Sequence, residues 1–337
     1  MFREIGILGG LVVCFLLALF FSGTLTPLLQ KAEVANAGHV ASYIGYGIAG
    51  VLLIIVAAIT KCSIGAWMLF VLFVAHALVG AVELGTDGWI QNITGNILTP
   101  AQGKILFVWT SFVMFGLRFC AHWIERTFKL SPPSLLMVCS IVAAVGLNLV
   151  SGVNAFITAM AALTVYAAGK AFFWPTMLAV AGDRFPRTGA IAMSFMGGIG
   201  MMSAGIIGSA GLGYCKDRFS TDELQKNNPE ILAQYKAEKA SKFLFLKEVP
   251  GIDGKKLEAA LNAKDEERTP DQKIVVEASI KGDRKTLVAD SFIPAAMAVI
   301  YLLLVLYFKA TGGYKVLTVE GGDAKPAESE DEESGDE

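Results

Sequence analysis

The sequence predicts an all-α integral membrane protein, a bundle of about eight transmembrane helices. Three observations predict it. Of 337 residues, 54% are apolar and 17% are charged, against roughly 25% charged in a soluble domain. The charges are also segregated. Residues 216–290 hold 15 basic and 15 acidic side chains, and residues 318–337 hold nine acids and one lysine, which leaves 18 charged residues for the other 242 positions. So few charges cannot cover a water-facing surface. That excludes a globular soluble enzyme, a disordered chain and a nucleic-acid binder with a basic face. Finally, apolar runs near or above about 18 residues recur along the chain. They lack the period-2 alternation of a barrel, and a bilayer core admits only helices or closed barrels.

The expected spans are 4–23, 42–60, 64–86, 104–124, 134–151, 155–181, 189–214 and 291–309. The first could pass for a signal peptide, but Glu4 cancels Arg3 and no A-x-A site follows, so it reads as a retained helix. The seventh is rich in small residues, with Gly200, Ala204 and Gly208 recurring every fourth position, which lets a neighbouring backbone come close. Between the last two spans lies a charged insert, 216–290. Its sequence suggests an amphipathic helix over 221–243, broken by Pro250, Gly251 and Gly254, then short helices around 254–263 and 270–280. Residues 318–337 read as a disordered acidic tail.

An even number of spans puts both termini on one side, and the positive-inside rule picks that side as cytoplasmic. Lys61, Arg126, Lys129, Arg184, Arg187, Lys309 and Lys315 then lie inside, and the short outside loops carry Lys31 and Lys104. The insert is expected outside, and the membrane is expected to be a bacterial-type plasma (inner) membrane. The five cysteines form no C-x-x-C pair and the three histidines are scattered. No disulfide framework, metal site or other cofactor is suggested. No H-E-x-x-H, G-x-S-x-G or Walker loop occurs, so enzyme activity is not expected.

The stretch from Ile64 to Lys309, with six spans and short loops, resembles the C-terminal six-helix half of major facilitator superfamily transporters. Three local features carry the resemblance. Ala121 to Lys129, containing Glu125 and Arg126, is similar to the family's G-x-x-x-D/E-R-x-G-R/K loop, with Ala121 and Phe128 in place of the two glycines. Gly169 to Thr176 resembles the aromatic-Pro-Thr pattern of the tenth helix in some sugar and organic-anion carriers. Arg184 to Ala190 looks like the turn into the eleventh helix. The resemblance implies that residues 1–60 correspond to helices five and six, 61–215 to five helices of the C-terminal half and 291–317 to the last helix. Counterparts of the first four helices are then missing, so a second chain supplying helices is an expected partner.

Intramembrane charges cost about 2.5–3.5 kcal/mol each on insertion scales, so they mark candidate functional residues. His76, Glu83 and Asp87 are spaced i, i+7, i+11, which at about 100° per residue puts them on one helical face with Gly80. This reads as a polar stripe toward a central cavity, with Glu83 the proton-binding group. Counted from Ile64 at about 1.5 Å per residue, Glu83 falls roughly 28 Å along, near the outer boundary; Asp87 is then expected among headgroups. Arg118 cannot deprotonate, so it either meets a carboxylate, a carbonyl or an anionic ligand or snorkels to the inner headgroups. Lys170 has no acid three or four residues away, so its partner is expected on another helix. Trp174, before the helix-kinking Pro175, can stack on a sugar or organic ring. Gln91 and Asn92 can recognise hydroxyls or belong to the outer loop. Trp89 and Trp109 suit the aromatic belt.

The expectation is a secondary active transporter of a small polar solute (sugar, polyol or organic anion), proton-coupled, with the lipid bilayer as its surroundings. The competing expectation is a truncated or non-transporting membrane subunit that needs another chain to complete the bundle.

Overall fold

The computed structural model describes residues 2–120, 123–124, 127 and 129–318. The loop resemblance at Ala121, His122, Glu125, Arg126 and Phe128 and the acidic tail from 319 onward lie outside the described residues. The described chain is helical, with two isolated antiparallel bridges, Lys236–Ile252 and Ser241–Val249. Helices α1 (Phe2–Lys31) and α2 (Ala37–Ile59) form an antiparallel pair. Helix α3 (Trp67–Gly80) passes through a π-turn (Ala81–Gly85) into α4 (Thr86–Ile97). Next come α5 (Pro100–Phe119), α6 (Pro132–Ser151), α7 (Phe156–Lys170) and α8 (Phe173–Arg184). Helix α9 (Gly189–Ser203) passes through a second π-turn (Ala204–Ser209) into α10 (Ala210–Asn227). Short α11 (Pro229–Tyr235) and α12 (Gly254–Asn262) precede α13 (Pro270–Asp290) and α14 (Phe292–Ala310).

Among the described residues, seven helical runs are long and apolar enough to cross a membrane: Phe2–Lys31, Ala37–Ile59, Trp67–Ile97, Pro132–Ser151, Phe156–Arg184, Gly189–Asn227 and Pro270–Ala310. The chain is an all-α membrane protein. The remaining expected span corresponds to α5, which carries Lys104 and Arg118 and is not one of the seven.

One apolar core joins the bundle, centred on Leu69, Leu72, Phe73, Leu147, Tyr166 and Phe173. Burying a Leu or Phe side chain contributes about 1.5–3 kcal/mol. The small-residue stripe of α9 and its π-turn meets a matching stripe across the interface. A Cβ on Gly80 would lie 2.1 Å from the Gly200 carbonyl oxygen, and one on Gly208 would lie 2.5 Å from that of Ala81. The two π-turns therefore pack backbone to backbone. Gly6 (φ 54°) and Gly65 (φ 94°) hold another close crossing, where Ile7 N donates to Ser63 O at 2.9 Å and Leu8 N to Ile64 O at 3.0 Å.

The insert differs from its sequence expectation. Helix α10 runs out of the seventh span to Asn227, and α13 runs from Pro270 into the last span. These two helices pack side by side, with a small core of Leu224, Ile231, Leu232, Ile252, Val275 and Ala278. The expected 221–243 helix stops at Asn227 because Pro229 restarts the chain as α11; residues 236–252 then fold back as a bridged loop. The helix foreseen at 270–280 extends to Asp290, started by a Thr269–Gln272 capping box. Arg284 ties the insert to the bundle by donating to Ser151 O and Val153 O, both at 2.7 Å.

Candidate functional site

The third span is longer than its hydropathy suggested. The helix runs unbroken for 31 residues, Trp67–Ile97, so Glu83 lies midway along it. Ile97 is about 21 Å further on. The helix therefore continues for ten residues beyond Asp87. Polar Asp87, Gln91 and Asn92 lower the local hydropathy, yet all three sit on α4. Gln91 is half-buried and Asn92 exposed, and neither side chain makes a hydrogen bond among the described residues. The structure does not join them to the charged group described next.

Three runs converge on the π-turn. Glu83 is 4% exposed, and its Oε1 accepts from Arg118 Nη2 of α5 at 2.7 Å. Arg118 Nε also donates to Ala171 O, just beyond α7, at 2.9 Å. Asp87 pairs with Lys170 of α7, whose side chain is fully buried. The Lys170 ammonium lies 5.1 Å from the Tyr166 ring centroid, and Tyr166 donates its hydroxyl to Val82 O at 2.9 Å. A π-turn shifts backbone bonding from i+4 to i+5 and tends to sit at functional sites; here a tyrosine of a neighbouring helix serves a carbonyl within it. Both expected cations therefore find carboxylates across helices.

His76 does not join this network. It is fully buried, its two ring nitrogens have no hydrogen-bond partner, and its ring stands edge-on to Trp174 with centroids 4.6 Å apart. Seven residues separate His76 from Glu83, about 10 Å along the axis, and the π-turn beginning at Ala81 breaks the regular phase between them. The expected continuous stripe is thus divided into a His76–Trp174 contact and a separate charged group. Trp109, expected in the aromatic belt, donates its indole N–H to Thr164 Oγ1 at 2.9 Å and ties α5 to α7.

Asp290 is a member that sequence reasoning missed. It is 4% exposed and accepts from Thr86 Oγ1 at 2.6 Å, and its other carboxylate oxygen is buried without a partner. No cation among the described residues pairs with it. It closes the charged insert in the sequence, so it reads as a surface acid; the available signal was its position one residue before an apolar run. Further along, Asp283 is buried against Lys216 Nζ at 2.9 Å and Asn96 Nδ2 at 2.9 Å. No group of His, Cys, Asp and Glu that could hold a metal occurs among the described residues. A separate cleft of about 630 Å³ opens at the α6–α7 turn, lined by Asn148, Asn154 and Thr158 among others, and none of the expected site residues lines it.

A solved structure shares the fold: a bacterial homologue of the human lysosomal transporter Spinster, in an inward-facing and occupied conformation. The two are 16% identical, with a TM-score of 0.55, over 90% of this chain and 68% of that one. The likeness is one of fold. No family model matches the sequence, and no curated protein does.

Proposed function

We propose that this chain is a secondary active transporter that moves a small polar solute by alternating access, coupled to protons. The observation that carries the reading is the interhelical charge network on the π-turn, within a transporter-like fold. Intramembrane ion pairs are costly to build and are concentrated along substrate and ion pathways. Glu83 is the coupling acid in this reading. A proton on Glu83 removes the charge that holds Arg118. The freed guanidinium then offers its planar fork to a carboxylate or phosphate. Among sugars, polyols and organic anions, the organic anion is therefore the favoured solute. Loss of the proton restores the Glu83–Arg118 pair and displaces the anion. Both termini are assigned to the cytoplasm and the insert to the opposite face of a plasma membrane.

The test is uptake by proteoliposomes under an imposed pH gradient, using a panel of organic anions and sugars. Glu83→Gln, which mimics the protonated state, is expected to abolish uphill accumulation and to leave solute exchange partly intact. Unchanged proton-driven uptake in that variant would overturn the role of Glu83.

A second reading is a subunit that another chain completes. It is supported by α2, whose most apolar window is only 11% buried and which exposes Tyr43 and Ile54 by more than two-thirds. No uptake of any panel member by the wild-type chain, with recovery on adding a partner chain, would favour that reading.

A further inference from the structure

The bridged loop of the insert, closed by mutual Ser241–Val249 backbone hydrogen bonds of 2.8 and 3.0 Å, has the tip Lys242-Phe243-Leu244-Phe245-Leu246-Lys247. Its apolar residues have no role in the charged site. Phe243 turns inward: its ring approaches Gly211, 3.1 Å from where a Cβ would sit, and lies 6.0 Å from the Tyr214 ring. Tyr214 also donates its hydroxyl to Lys247 O at 2.8 Å. The tip is thereby held level with residues 211–214, the final apolar turn of the seventh span. Gly211 lies about 7 Å toward the bilayer from Lys216, the first charged residue of the insert. The loop therefore hangs back down the outside of α10, alongside the last apolar turn of that span.

At that depth Phe245 is 91% exposed and Leu246 38% exposed. The turn that directs them away from the protein puts Leu244 at φ 48°. A bulky residue there is a backbone outlier of the kind that persists where surrounding contacts enforce it and that clusters at functional segments. Here the enforcing contacts are the Phe243 N-terminal anchor, the Leu246 N to Phe243 O bond of 2.9 Å and the Tyr214 hydroxyl. Exposed Lys239, Lys242 and Lys247 surround the apolar tip. Lys242 pairs with Glu248 at 3.4 Å, and Lys239 reaches Gln30 at the end of α1, at 3.4 Å.

We infer that this tip is a membrane anchor: Phe245 and Leu246 enter the edge of the acyl layer of the bilayer that holds the protein, and the surrounding lysines meet lipid phosphates. The chemistry is that of interfacial segments, in which aromatic and aliphatic side chains enter the headgroup–acyl boundary beside basic residues. The anchor holds the insert over one face of the bundle.

The test uses the full chain in phosphatidylcholine–phosphatidylglycerol vesicles, with Cys62, Cys120 and Cys215 replaced by serine. A spin label is attached at Phe245→Cys or, as the aqueous control, at Glu258→Cys on exposed α12. The label at 245 is expected to collide more with oxygen than with a water-soluble nickel chelate, and the label at 258 the reverse. Equal nickel accessibility at the two positions would overturn the proposal. Protection of position 245 from both reagents would overturn it as well, since the tip would then be covered by protein.

Discussion

Lys170→Met tests the charge network through stability and needs no knowledge of the solute. The Lys170 side chain is fully buried, and its Asp87 partner has an 18% exposed side chain. Methionine keeps the length and apolar stem of lysine, so the cavity term is small; what changes is that Asp87 loses its counter-charge. Removing one partner of a buried pair destabilises by about 3–5 kcal/mol. The partial exposure of Asp87 and the nearness of Arg118 place the expected loss at the lower end, about 3 kcal/mol. Replacing both charges by apolar groups is often neutral or stabilising, so Lys170→Met combined with Asp87→Leu should recover most of that loss. The assay is reversible unfolding of the wild type, both single variants and the double variant in mixed micelles, analysed as a double-mutant cycle. A double variant whose loss equals the sum of the two single losses would refute the reasoning, because Asp87 and Lys170 would then not be coupled.

Thr86→Val removes the hydroxyl donated to Asp290 and should destabilise by about 1–3 kcal/mol, the cost of an unsatisfied buried acceptor; Thr86→Val in an Asp290→Asn background should cost less, measured by the same unfolding. Gly80→Ala pushes a methyl group into the Gly200 backbone and should cost about 1–3 kcal/mol through overpacking, whereas Gly47→Ala, which meets nothing within 4 Å, should be neutral or slightly stabilising; equal thermal stability of the two variants would contradict the close packing of the stripe. For topology, a membrane-impermeant maleimide applied to intact cells should label Glu258→Cys and should not label Lys315→Cys, with the order reversed in inverted vesicles.

The sequence carries the bundle and the small-residue stripe well. Hydropathy alone marks the spans, and the Gly200, Ala204, Gly208 spacing foretells a close backbone contact, which the structure fills with Gly80, Ala81 and Gly85. Arg118 and Lys170 were legible as residues in need of partners, because an intramembrane cation without an acid on its own helix must look elsewhere. Which acid each meets was not legible, since pairing across helices depends on packing that one sequence does not encode locally. The third helix runs past the end that hydropathy predicts, for a physical reason. Hydropathy scores side chains one by one, and a helix whose polar residues face other helices scores like a loop; Asp87, paired with Lys170 of α7, falls in that class. Asp290 was hidden by its charged neighbours on α13. Neither π-turn has a compositional signature, so the phase change between His76 and Glu83 was invisible.

That phase change has a consequence for how relatives of this chain should be compared. A π-turn is in effect one surplus residue carried within an α-helix. The wide turn absorbs that residue, so deleting one residue between Ala81 and Gly85 would restore regular helix and leave the segment beyond it facing much as before. Asp87 would still face Lys170, one position earlier in the chain. The pairing of the site is indexed by chain length as much as by residue identity. An ungapped alignment with a homologue lacking the surplus residue would set Asp87 opposite a residue of another face, so a true counterpart could be scored as a loss. The equivalent acid in such a homologue has to be sought one position away, and the facing π-turn at Ala204–Ser209 has to be counted in the same manner.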